Sequence, residues 1–199
     1  MADFDLERTQ ALLKGAALDP EPTWDSFRAD NPDWTQTAVL VAGPMIVITA
    51  ALAPILGWIF GTNMLPGAGG FITQIFVTLI FGLIGLGISG AVFGLLAGSF
   101  GGTQSFDNGF AAVSLAAVPG YAGQIIGTLP LIGWLISLAL SIYSLALLYR
   151  CLPRFVGVPQ EKRVGHFVVG LIILIVIYAI ISFPLAGLFL AGSGVPEAY

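Results

Sequence analysis

The chain has 199 residues, of which 57% are hydrophobic and only 9% charged, with a formal net charge of −4 and a mean hydropathy of +0.94. Soluble domains carry roughly a quarter of their residues as Asp, Glu, Lys and Arg, so too little charge is present to cover a water-facing surface. Both a soluble globular domain and a disordered chain are excluded, and the 26 glycines follow no Gly-X-Y period that would suggest collagen.

Residues 1–36 read as a polar lead-in. They open on Asp3, Asp5 and Glu7, lack the apolar centre of a signal peptide, and are interrupted by Pro20, Pro22 and Pro32. The first hydrophobic stretch is therefore expected to stay in the protein as an uncleaved anchor. Leu6, Leu12, Leu13, Ala16 and Ala17 can share one face of a short helix. After the prolines, Thr23 can cap a second helix, which places Trp24 and Phe27 one turn apart on the same side. Two readings stand: helices lying flat on the inner leaflet, which is the plainer one, or a docking surface for a cytoplasmic protein.

A hydrocarbon core of about 30 Å takes roughly 20 apolar helical residues per crossing. Five stretches reach that length, at 37–60, 71–99, 110–129, 131–149 and 164–190. The expected fold is all-α: a five-helix transmembrane domain over 37–190 with a short external tail, 191–199. Basic residues fall in two places, Arg8, Lys14 and Arg28 before the first span and Arg150, Arg154, Lys162 and Arg163 between the fourth and fifth. An even number of crossings separates them, so both lie on one face, and the positive-inside rule makes that face cytoplasmic. The third stretch holds Pro119, Gly120, Gly123 and Gly127 and resembles a re-entrant loop. Were it not to cross, the second basic cluster would land outside, so five crossings are expected. Trp34 and Tyr149 fit the inner boundary, Trp58 and Trp134 the outer.

Within the second span, Gly85 to Gly90 spells GxGxxG, but inside an apolar helix its N–H groups are already bonded, so it is no nucleotide site. Gly82, Gly90, Gly94 and Gly98 instead suit close helix packing, which makes this span the expected central helix, packed within the chain or against a second copy. In the third span, Pro119 and Gln124 suggest either a kink whose freed carbonyls bond Gln124, or a polar path lined by Tyr121, Gln124 and Tyr143. His166 stands alone and reads as interfacial rather than as a metal ligand, and Cys151 reads as an apolar filler or a lipid-facing thiol. No catalytic, cofactor or metal motif is present, and without a polybasic block nucleic-acid binding is not expected. Trp24, Phe27, Arg150, Arg154, Lys162 and Arg163 are the candidates for partner or lipid contact, with Lys162 and Arg163 foremost because the basic loop sits beside anionic headgroups.

The run from Tyr143 to Tyr149, followed by Leu152-Pro153, Val158-Pro159 and Glu161-Lys162, resembles the signature of the Ypt-interacting-protein (Yip) domain family, bacterial branch. Phe110, Pro119 and the segment Leu129 to Trp134 fit the same family's third and fourth spans, and Leu12-Leu13 with Pro22, Thr23 and Trp24 resembles its amphipathic lead-in. The resemblance implies five membrane helices with a cytoplasmic N-terminus, and a bacterial inner-membrane location. Eukaryotic relatives bind Rab-type GTPases, but the long N-terminal region and the Asp-Leu-Tyr-Gly-Pro motif are missing here beyond Gly43-Pro44, so GTPase binding is not carried over. The expectation is a non-enzymatic protein that organises membrane through lipid and protein contacts. The alternative is a small channel or transporter using the Pro/Gly-interrupted third span.

Overall fold

The structure, a computed structural model, describes residues 4–62 and 67–192, with side chains described for 4–62 and 70–182. It begins with a helical hairpin. Helix α1 (Leu6–Leu18) starts where the Asp5 carboxylate accepts the Arg8 N–H at 3.1 Å. A single residue, Asp19, separates it from α2 (Pro20–Ala29). The second helix begins three residues before the cap expected at Thr23. Prolines in a first turn cost nothing, because the N–H groups there have no intrahelical acceptor. Thr23 lies inside α2 and donates its hydroxyl to the Asp19 carbonyl at 2.8 Å. The two helices run antiparallel, their open ends tied by the Arg8–Asp30 ion pair. They cross closely at Gly15, where a Cβ would lie 2.2 Å from Thr23 Oγ1.

Asp33 opens the next element, α3 (Trp34–Thr37), by accepting from the Gln36 N–H and the Thr35 hydroxyl, each at 2.7 Å. The chain continues without a break through a π turn (Ala38–Ala42) into α4 (Gly43–Ile59). Pro44 explains the turn. It has no N–H to offer the Leu40 carbonyl, and the Gly43 N–H reaches the carbonyl of Ala38, five residues back. Then follow α5 (Gly67–Leu96) with a 3-10 turn (Ala97–Phe100), α6 (Phe106–Ile126), α7 (Gly133–Val156) and α8 (Arg163–Gly192). Ser105 caps α6 by accepting from the Asn108 N–H at 3.2 Å. Gly157, at φ +66°, ends α7 and returns its N–H to the Pro153 carbonyl.

Five helical stretches are long and apolar enough to cross a membrane, and every regular element among the described residues is helical. The third stretch is an uninterrupted helix of 21 residues despite Pro119, not a re-entrant loop. The fourth runs on to Val156, so Arg150 and Arg154 stand on its last turns and not in a loop.

The centre of the bundle differs from expectation. In α6, 61% of the span's most apolar window is buried, against 11% in the second span. The central helix is therefore α6, which meets α4, α5 and α7 as well as α1 and α3. Its small residues explain this: Gly109, Ala111, Ala112, Ser114 and Ala116 are all buried and let neighbours approach from several sides. The glycine face of α5 serves one of those approaches. A Cβ on Gly90 would lie 2.7 Å from Phe110 Cα, and one on Gly94 2.2 Å from the Ser105 carbonyl oxygen. Gly82 faces Ile46 and Tyr121, and Gly98 faces the Gln104 side chain. The contacts of these four glycines lie within the same chain.

Candidate functional site

Two regions hold the predicted site residues, and the first is a clamp between hairpin and bundle. On α2, Glu21 and Asp25 lie one turn apart, and on α7 so do Arg150 and Arg154. One guanidinium nitrogen of Arg154 lies 2.8 Å from both Asp25 carboxylate oxygens, and the other lies 2.8 Å from Glu21. Arg150 pairs with the second Glu21 oxygen. The Arg154 guanidinium also sits 5.9 Å from the centre of the Trp24 ring, within cation–π range. Further along α7, the Tyr143 hydroxyl donates to the Ala17 carbonyl at 3.1 Å.

These contacts seat the hairpin on the bundle: Ala17 near its tip meets Tyr143, Glu21 meets Arg150 and Arg154, and Asp25 meets Arg154. Trp24 and Phe27 are 0% and 1% exposed, packed into a core shared with Leu12, Phe110 and Leu147. Both rings face the chain itself and not an outer surface. Leu18 at the tip is 75% exposed.

Around this clamp the loops are stitched together. The Trp34 N–H donates to Asp107 Oδ1 at 3.0 Å, joining the starts of α3 and α6. Sequence reasoning passes over Asp107 as a partner, although its isolation in a long uncharged stretch was the available signal. The Asp33 carboxyl is held below its usual 3.8, first by the Gln36 backbone N–H and then by the Thr35 hydroxyl. Lys162 is exposed and makes no ion pair among the described residues, and the same holds for the half-buried Arg163. His166 is buried: it packs against the rings of Phe93 and Phe100, and its Nε2 donates to the Phe93 carbonyl at 2.9 Å. Cys151 is fully buried in the core and does not face lipid.

The second region lies alongside the first, on α6 and the middle of α7. Pro119 interrupts the α6 hydrogen-bond ladder, and the Gly120 N–H donates across to Ser144 Oγ on α7 at 2.7 Å. Gln124 makes no hydrogen bond among the described residues and is exposed. Ser144 escapes sequence reasoning because a serine in an apolar helix ordinarily bonds its own preceding turn. The Tyr121 hydroxyl points to the Gly82 carbonyl at 3.5 Å, and Tyr178 donates to the Gly85 carbonyl at 3.1 Å.

Two cavities flank these groups, one of about 400 Å³ between α6 and α7 and one of about 380 Å³ between α5, α6 and α8. They share Val113, Ala117, Tyr121 and Gln124, a stripe along one face of α6. Together they form a trough with α6 as its floor. Tyr143 takes no part in it, its hydroxyl being committed to Ala17, and Ser141 and Ser144 supply the α7 wall. At the hairpin end, the rings of Tyr149 on α7 and Phe167 on α8 meet edge-on, with centroids 5.3 Å apart.

The family model of the Yip1 domain matches residues 14–192, which takes in α2, all five spans and the last turns of α1. No curated protein and no solved structure matches the chain.

Proposed function

The chain belongs to the Yip1 domain family, and from that premise we propose that it is a non-enzymatic multi-pass membrane protein that organises membrane through lipid and protein contacts. One observation carries this reading. The axis of the bundle is filled by α6, and the polar side chains of α6 open sideways into the trough and not along a central path. Such an arrangement meets lipid with its hydrogen-bonding groups. The α6 helix runs through Pro119 unbroken, and the Gly120 N–H beside it is bonded to Ser144.

In this reading the hairpin and the basic loop face the cytoplasm and the C-terminus lies outside, in a bacterial inner membrane. The two groups of basic residues, Arg8, Lys14 and Arg28 before the first span and Arg150, Arg154, Lys162 and Arg163 between the fourth and fifth, support that orientation. Lys162 and Arg163, which pair with no acid among the described residues, serve as contacts for anionic headgroups. The hairpin surface, clamped to the bundle beside them, serves a cytoplasmic protein partner.

The test is flux. Purified protein reconstituted in liposomes should leave ion and small-solute permeability at the level of empty vesicles. High flux that falls on Gln124→Leu substitution would establish the channel or transporter reading in its place.

A further inference from the structure

The trough is polar without being charged. None of the residues lining either cavity is Asp, Glu, Lys or Arg. Within hydrocarbon, a polar group without a partner costs several kcal/mol, so the unused bonding capacity there defines what the trough accepts. Gln124 offers both a donor amide and an acceptor carbonyl. Ser144 accepts from Gly120, which leaves its own proton to donate. Ser141 donates to the Ser137 carbonyl at 2.8 Å, which leaves its lone pairs to accept. The complement is donors and acceptors with no formal charge. A phosphate or ammonium headgroup would enter this site without a counter-charge.

The shape adds a second constraint. The two cavities lie on either side of the stripe formed by Val113, Ala117 and Tyr121, and both reach Gln124. Each has the volume of a small-ligand pocket; in the second, the Ser89, Tyr121 and Tyr178 hydroxyls are already bonded within the chain, which leaves Val77, Phe81 and Leu86 to meet an apolar branch. A ligand with two apolar branches joined at an uncharged, hydrogen-bonding head fits that plan.

We propose that the trough binds a lipid of the diacylglycerol class, its two acyl chains straddling the α6 stripe and its free hydroxyl and ester carbonyls meeting Gln124, Ser141 and Ser144. The proposal rests on the lipid-contact reading above and names the lipid.

The experiment uses the full-length protein in phospholipid nanodiscs and a diacylglycerol with a photoreactive acyl chain, with labelled peptides located by mass spectrometry. Labelling is expected on the α6 and α7 segments that line the trough, and it should be competed by unlabelled diacylglycerol but not by phosphatidylglycerol. Gln124→Leu should weaken the competition about fivefold, the equivalent of one hydrogen bond. Ala117→Phe, which fills the floor, should abolish trough labelling, whereas Ile55→Phe on α4 should leave it intact.

Equal labelling by a photoreactive phosphatidylcholine would overturn the proposal, because the trough would then hold ordinary annular lipid. So would labelling confined to other helices, or cross-links showing the trough occupied by a helix of a second copy. Competition on the unsubstituted protein decides the matter even if both trough variants fail to fold. Liposome flux separates the two levels of argument. Tight vesicles with no selective labelling would remove this lipid assignment alone, and leaky vesicles would remove the reading beneath it.

Discussion

Arg154 holds Asp25 by a single guanidinium nitrogen placed 2.8 Å from each carboxylate oxygen, across 129 positions of sequence. Its other nitrogen holds Glu21, and its face lies over Trp24, so one side chain joins three residues of the hairpin. Arg154 and Asp25 are 32% and 60% exposed, so solvent screens the pair. Taken with the cation–π contact, the loss on Arg154→Ala should be about 1 kcal/mol. The expected result is a roughly fivefold rise in hydrogen exchange over α2 with the spans unaffected. Added salt should produce part of the same effect in the unsubstituted protein. Unchanged protection over α2 would show that apolar burial of Trp24 and Phe27 alone seats the hairpin.

The glycines of the α5–α6 crossing separate into those that backbone contact demands and those it does not. A Cβ on Gly109 would lie 2.3 Å from the Gly90 carbonyl oxygen and 2.5 Å from Gly94 Cα, both backbone atoms with no rotamer to give way. Gly109→Ala should therefore cost about 2 kcal/mol or more through helix separation. Gly87, on the same α5 helix, meets nothing within 4 Å. There alanine should be neutral or slightly stabilising, since glycine gives up about 1 kcal/mol of helix propensity. Thermal unfolding in detergent would distinguish them, and equal effects would contradict the crossing.

The number of crossings and their approximate places were legible because an apolar run near 20 residues, in so weakly charged a chain, has little but lipid to face. Which helix sits at the centre was not. Hydropathy reports what a helix tolerates around it, and α6, the least apolar span at 1.4, is the most enclosed because its small residues admit close neighbours. The hairpin's seat against the bundle was equally hidden. Leu12, Trp24 and Phe27 do mark an apolar face, yet only the pairing of Glu21 and Asp25 with arginines far along the chain says that this face turns to the bundle instead of lipid. At the trough, Tyr121 and Gln124 were visible as polar residues in an apolar span. Their neighbour Ser144 became recognisable only once α7 was laid beside Pro119.

Two serines one turn apart on α7 provide a matched comparison. Ser144 accepts the Gly120 N–H beside Pro119, whereas Ser141 bonds the Ser137 carbonyl of its own helix. Removing Ser144 leaves a backbone donor without its partner in an apolar setting, at about 1–2 kcal/mol. Removing Ser141 leaves a carbonyl of its own helix, whose ladder role persists, and should change stability by less than about 0.5 kcal/mol. Ser144→Ala should also speed amide exchange locally around Gly120. If both alanine variants unfold alike, the Gly120 N–H is satisfied by some group other than Ser144.

Asp33 supplies the pH dependence. Its carboxylate accepts from the Gln36 N–H and the Thr35 hydroxyl, and the folded protein holds its pKa below 3.8. Because the folded value is the lower one, the unfolded chain takes up a proton first as pH falls. The stabilising contribution is therefore complete above 3.8 and disappears as pH drops through the folded value. Above that range the Gln36 amide should stay protected at every pH, after correction for intrinsic exchange, and it should open only in acid. Asp33→Asn retains a capping oxygen and removes the titration, so its acid profile should be flat at the start of α3. Asp33→Ala should expose the same amide at neutral pH. An Asp33→Asn profile that still bends in acid would transfer the effect to another carboxylate at this end of the bundle, with Asp107, which holds the neighbouring Trp34 N–H, first to be substituted.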